Sequence, residues 1–169
     1  MKKTVLFFGL ISGAVSTALM LATLPYIDSG HFEIADVLGY TSIVLSALLV
    51  FFGIRSYREK AGAGRITFSR GVAVGVLITL ISCACYVVVF QIVYFKLMPE
   101  FGDKFAACMV ERVRTSGGPD QEIAKTARQA QTFKALYDNP ATNAMLTFAT
   151  SFPIGLAVTA ISAVILRKR

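Results

Sequence analysis

Four long apolar stretches run through this chain: Val5–Leu24, Val37–Ile54, Gly71–Phe95 and Ala141–Leu166, with no charged side chain inside any of them. The hydrocarbon core of a bilayer is about 30 Å thick and takes roughly 20 apolar residues of helix to cross. Each stretch meets or nearly meets that length. The expected fold class is therefore all-α: a polytopic membrane protein with four transmembrane helices and a helical periplasmic insertion, residues 96–140, between the third and fourth. All 169 residues are expected to form one integral membrane domain.

Composition agrees. Hydrophobic residues make up 55% of the chain and charged residues 16%, against about 25% charge in soluble domains. Four spans leave room for one sizeable loop, which excludes a large soluble catalytic domain. The net charge of +7 invites a nucleic-acid reading, but its distribution argues otherwise. Lys2 and Lys3 precede the first span. Arg55, Arg58, Lys60, Arg65 and Arg70 lie between the second and third, and Arg167, Lys168 and Arg169 close the chain, with Glu59 as their only acidic neighbour. The other nine acidic residues fall in the alternate segments. The positive-inside rule then puts both termini and the Arg55–Arg70 segment in the cytoplasm, in a bacterial inner membrane. No nucleic-acid partner is expected; membrane lipids are.

A Lys-Lys start followed by an apolar run resembles a signal peptide. Signal cores run to about 7–15 residues and this run is nearer 20, so a retained helix is expected. The first outer loop should span Pro25 to about Asp36. The third run continues to Met98, about 28 residues or roughly 42 Å of helix, so that helix must tilt or project. Gly62 and Gly64 break the chain between spans two and three, and Thr67 or Ser69 is placed to cap the third helix.

The insertion reads as two amphipathic helices. Phe101, Phe105, Cys108, Met109 and Val113 form one stripe; Ile123, Ala127, Ala130, Phe133 and Tyr137 form the other. The periodicity predicts that Phe105 and Phe133 are largely buried.

Candidate sites are few. Small residues (Gly9, Gly13 and Thr17; Ser42 and Ser46; Gly71 and Gly75; Ala157, Thr159 and Ser162) permit close helix approach in lipid, within the bundle or between chains. Gln91 is the most polar side chain inside a span, suited to a hydrogen bond with a neighbouring helix or to a polar solute. Pro153, beside Ser151, bends the fourth helix or opens a path there. Cys83 and Cys85 point about 200° apart on a helix and cannot share a metal. Cys108 is either buried or paired between chains. His31, with Asp28, Glu33 and Asp36, lacks ligand spacing. No metal, no cofactor and no catalytic motif is legible, and the expectation is a non-enzymatic protein.

Two segments carry a resemblance. One is Phe51-Phe-Gly-Ile-Arg-Ser-Tyr-Arg58 with Gly64-Arg-Ile-Thr-Phe-Ser-Arg-Gly71 and Gly75-Val-Leu-Ile-Thr79. The other is Tyr137-Asp-Asn-Pro140 with Thr147-Phe148 and Ser151-Phe-Pro-Ile-Gly155. Over nearly its whole length the chain resembles a bacterial four-span membrane family, domain of unknown function 4199. The resemblance implies architecture and no activity. Where many members show an acidic residue before the Phe-Pro pair, this chain has Ser151. Arg55 and Arg58 would anchor to headgroups or, with Arg65 and Arg70, hold an anionic lipid or solute. Function is expected through helix packing, as a homo-oligomer or as an accessory subunit of a membrane protein partner. The alternative is a small-solute transporter or channel subunit.

Overall fold

A computed structural model describes residues 2–28, 32–61 and 64–167. Six helices follow one another: α1 Lys2–Asp28, α2 Phe32–Ala61, α3 Phe68–Ile92, α4 Phe101–Thr115, α5 Asp120–Tyr137 and α6 Pro140–Leu166. By length and composition α1, α2, α3 and α6 suffice to cross a membrane, and the chain is an all-α polytopic membrane protein. Their surface shows the inversion that lipid permits. Leu6, Phe7, Leu10, Val44, Leu48, Val88, Ile161, Val164 and Ile165 face outward, while Ser12, Thr79, Thr159 and Ser162 are buried. Lipid supplies no hydrophobic force between helices, so small and hydroxylated residues take the interior.

The spanning helices reach beyond the apolar runs. α1 continues through Pro25 to Asp28 and α2 begins at Phe32, so the expected Pro25–Asp36 loop is mostly helix. His31 lies outside the described residues. Thr67 caps α3, its hydroxyl accepting from the Arg70 N–H at 3.4 Å. α3 runs on into a π-helical turn, Val93–Leu97, in which the Met98 N–H reaches the Val93 carbonyl at 2.8 Å. Pro99 follows and disfavours helical backbone at Met98, so the projecting third helix stops there.

α1 packs on α2 and α3, α3 on α6, and α2 crosses to both α3 and α6. The termini and the α2–α3 connection share one end, which we term the basic end; α4 and α5 cover the other, the cap end. At the basic end Val5, Val50, Ile54, Ile66, Val74, Ile78 and Leu166 form a dense apolar core. The small residues make that density possible. Gly75 faces Thr159, where a β-carbon would stand 2.5 Å from Cγ2, and a β-carbon on Gly155 would overlap Thr79. The two threonine hydroxyls are 3.3 Å apart. Antiparallel α3 and α6 thus interlock through one pattern used twice, Gly75-x-x-x-Thr79 against Gly155-x-x-x-Thr159. Gly9 and Gly13 receive Ile81 and Cys85 on α3, and Gly71 receives Ala163. These approaches all lie within one chain.

The cap is an antiparallel pair, α4 on α5, with Gly117 at φ +76° in the turn. Phe105 and Phe133 meet across it with ring centroids 5.3 Å apart. Both are mostly enclosed, in line with the expectation of large burial, though neither is fully buried. Cys108, Ala130 and Tyr137 take the most enclosed positions, because the pair packs on itself and the cap end and is open to solvent elsewhere.

Candidate functional site

The motif Tyr137-Asp-Asn-Pro140 builds the corner on which the cap hangs. Tyr137 stacks on Phe133 at 4.2 Å and meets Phe90 and Tyr94 edge-on or tilted at 6.3 Å. The Tyr94 hydroxyl donates to Asp138 Oδ1 at 2.8 Å. Asn139 Oδ1 accepts from the N–H groups of Ala141 and Thr142 at 3.0 and 3.3 Å, capping α6, with Pro140 at its first position. Gln91 Nε2 donates to the Pro140 carbonyl at 2.6 Å. Asn143 Nδ2, fully buried, donates to the Tyr137 carbonyl at 3.0 Å. Asp138, Asn139 and Pro140 are each tied into the corner by one of these bonds, and Gln91 is a clasp between α3 and α6. Lys134 pairs with Asp103 across the cap. That hydrogen bond raises the ammonium's pKa above its ordinary value, favouring its charged form.

Below this corner the bundle opens. A half-open cleft of about 610 Å³ lies between the spanning helices, from beneath the cap to just past their midpoints, where Val50 of the basic-end core forms part of its floor, within the range of small-ligand sites. α1 contributes Ser12, Ser16 and Thr23; α2 Leu38, Ser42 and Ser46; α3 Thr79, Ser82 and Tyr86; and α6 Ser151, Ile154 and Val158. From the level of Ser12 to that of Thr23 it runs roughly 16 Å, at 1.5 Å per helical residue. α4 roofs it with Phe101, Phe105, Cys108, Met109 and Arg112. α2 and α6 touch at the basic end, where Arg58 Nη1 approaches the Leu166 carbonyl at 3.5 Å, and the cleft separates them toward the cap.

The hydroxyls of the deep wall are paired with one another. Ser16 and Ser46 are 2.6 Å apart, Ser82 donates to Ser12 at 3.1 Å, and Thr79 meets Thr159. Thr150 and Thr23 bond to carbonyls of their own helices. The wall therefore offers hydrogen-bonded hydroxyls and hydrocarbon to an occupant. Among the described residues of the lining no nucleophile is set beside a base, and no group of three metal-ligating side chains occurs among the described residues.

The sequence-derived candidates fall into three places. Ser151 lines the cleft. Pro153, two residues on and so about 200° around α6, is exposed, and α6 runs through it unbroken. At the basic end Arg55 pairs with Glu59 at 3.0 Å, and Arg58 lies 3.8 Å from the same carboxylate. Arg65 and Arg70 are exposed at that end. Cys83 lines the cleft, Cys108 is buried in its roof and Cys85 packs over Gly13; none is in a disulfide. The hydroxyl pairs escaped sequence reasoning as a site. Their signal was the spacing itself: Ser12 and Ser16, Ser42 and Ser46, and Thr79 and Ser82 each repeat on one helix face.

The family model described as "Protein of unknown function (DUF4199)" matches residues 7–168, and the chain belongs to that family. Comparison with curated proteins and with solved structures gives no match.

Proposed function

We propose that this family member is a non-enzymatic protein of the bacterial inner membrane, with both termini cytoplasmic, that holds a membrane-soluble molecule in its cap-end cleft. The observation that carries the reading is the cleft itself: ligand-sized, walled by hydrocarbon and by hydroxyls several of which bond to one another, and roofed by an amphipathic helix. A transporter or channel subunit is the second reading. The Val50, Ile54, Val74 and Ile78 plug at the basic end speaks against an open pore and is compatible with a carrier that rearranges. Association with a second copy or a membrane partner remains part of the proposal. It would use the outward apolar faces of the helices, since Gly9, Gly13, Gly71 and Gly75 are occupied within the chain. Anionic headgroups would be retained by Arg55, Arg58, Arg65 and Arg70 at the cytoplasmic surface.

Native mass spectrometry of the protein released from its own membranes tests the cleft reading. The wild-type chain should carry a co-purifying small molecule. Ser151→Phe, which fills the cleft, should lose it, and Met145→Phe, on the exposed face, should keep it. Retention of the same mass by Ser151→Phe would place the ligand elsewhere.

A further inference from the structure

The walls of the cleft below its roof carry no charge, and three of their hydroxyls are idle. From this we infer that the ligand is an uncharged single-chain lipid whose head is a hydroxyl or a carbonyl, held among Ser42, Tyr86 and Ser151, an inference that rests on the proposed cleft function. Among the described residues no Asp, Glu, Lys or His lines the cavity. The guanidinium of Arg112, in the roof, is exposed and has contacts of its own, so it is not held in reserve for a head inside the bundle. An ionised head there would lose its water and gain no counter-charge, which costs far more than burying a neutral polar group. The walls thus select against both signs of charge.

The hydroxyls of the cleft divide into two sets. Ser16 with Ser46, Ser12 with Ser82 and Thr79 with Thr159 are joined in pairs across helices, and a hydrocarbon chain lies against them without stranding a donor. Ser42 on α2, Tyr86 on α3 and Ser151 on α6 line the same space and are partly buried, and none of their hydroxyls bonds to a described residue. They stand on three different helices, and each hydroxyl both donates and accepts. A neutral hydroxyl or carbonyl recovers there the hydrogen bond it gives up on leaving water. The volume of about 610 Å³ suits one chain with a compact head better than a two-chain phospholipid. Entry is from the side, where the cap-end halves of α2 and α6 stand apart. Gly39 on α2 and Thr150 and Ile154 on α6 line the cleft and are themselves exposed, as a rim requires.

The test uses the full-length protein in nanodiscs supplied with hexadecanol, hexadecyl sulfate or hexadecyltrimethylammonium, which share a chain length and carry a neutral, an anionic and a cationic head at every pH. Native mass spectrometry reads occupancy. One hexadecanol per chain is expected, and each charged probe should bind at least about tenfold more weakly. This comparison needs no variant. Ser42→Ala, Tyr86→Phe and Ser151→Ala combined remove three hydroxyls that the fold does not use, so the thermal midpoint should hold while hexadecanol occupancy falls about fivefold, the worth of one neutral hydrogen bond. Ser151→Phe should expel hexadecanol altogether. A charged probe that binds the wild-type chain as well as hexadecanol does, and is lost in Ser151→Phe, overturns the uncharged head and leaves the cleft function standing. Hexadecanol held equally by the triple variant overturns the placement of the head among the three hydroxyls. Hexadecanol retained in Ser151→Phe overturns the cleft function, and the uncharged ligand with it.

Discussion

At the basic end the four spanning helices close on Val50, Ile54, Val74 and Ile78, all nearly or fully buried. Further along the same helices, toward the cap, the interior is Ser12, Ser16, Ser42, Ser46 and Ser82 around open space. The polarity is the reverse of a naive expectation: the half beside the basic residues is dry and apolar, and the hydroxylated half lies under an aromatic roof. What separates the halves is how closely the backbones approach. Where Gly71 and Gly75 let α3 settle on α6, contact is close and side chains fill what remains. Between α2 and α6 toward the cap no such pairing occurs among the described residues, and a β-carbon on Gly39 would meet nothing within 4 Å. Lipid does not push helices together, so a gap left by geometry stays open.

The largest expected effect breaks this contrast at its seam. Gly155→Val places a β-branched side chain against Thr79 and parts the Thr79–Thr159 pair. Overpacking of this kind costs about 1–3 kcal/mol, and the thermal unfolding midpoint in detergent should fall clearly. Gly39→Val on the open half should change it by less than about 0.5 kcal/mol beyond the β-branched residue's own helix propensity. Equal losses from the two variants would mean that the halves are packed alike.

A middle-sized effect concerns the cap. Phe133 is mostly enclosed between Phe105 and Tyr137. Truncation to Ala removes much of the roughly 1.5–3 kcal/mol that full burial of a Phe contributes. Amide exchange should quicken between Lys96 and Pro140 while the spanning helices keep their protection. Quickening throughout the bundle would show that the cap is not a separate unit. If the cap also mediates assembly, the oligomer mass should fall with the same variant.

The smallest effect is at Arg58. It caps the end of α6 through the Leu166 carbonyl and shares Glu59 with Arg55. A cation at a helix C-terminus is worth about 0.3–1 kcal/mol, so Arg58→Gln should move stability little. Arg55→Gln with Arg58→Gln should weaken anionic-lipid retention by about 1 kcal/mol per charge. Unchanged lipid retention would reduce both to topology markers.

The spans were legible because period and length are enough to find a helix in an apolar run, and because Thr67 and Asn139-Pro140 are local end signals. The boundaries of α1 and α2 were not. Pro25 is tolerated inside a helix that tertiary packing supports, and the residues flanking the apolar runs remained helical beyond the charge-free stretch. The cleft was illegible for a different reason. Ser42 and Ser46 read equally as packing residues and as lining residues; the choice depends on whether α6 approaches α2, a distance no local pattern encodes. Gln91 showed the converse. Its polarity inside a span suggested a site, and its partner, the Pro140 carbonyl, could be chosen only once α3 and α6 were neighbours.

Thiol accessibility tests the sealed and open halves most directly. Cysteine is placed at Ser151 in the cleft, at Ser162 in the closed half and at exposed Ser116 in the cap, in a chain whose Cys83, Cys85 and Cys108 are changed to Ala. Ser116 serves as the reporter because a side chain on Gly118 would crowd Val113, with a β-carbon 2.6 Å from Cγ1. In intact spheroplasts a membrane-impermeant maleimide should label Ser116→Cys fast and Ser151→Cys more slowly. Ser162→Cys should stay unlabelled, also in inverted vesicles. Labelling of Ser162→Cys at the rate of Ser151→Cys, or of Ser151→Cys only from inverted vesicles, would contradict a bundle sealed at its basic end and open beneath its cap.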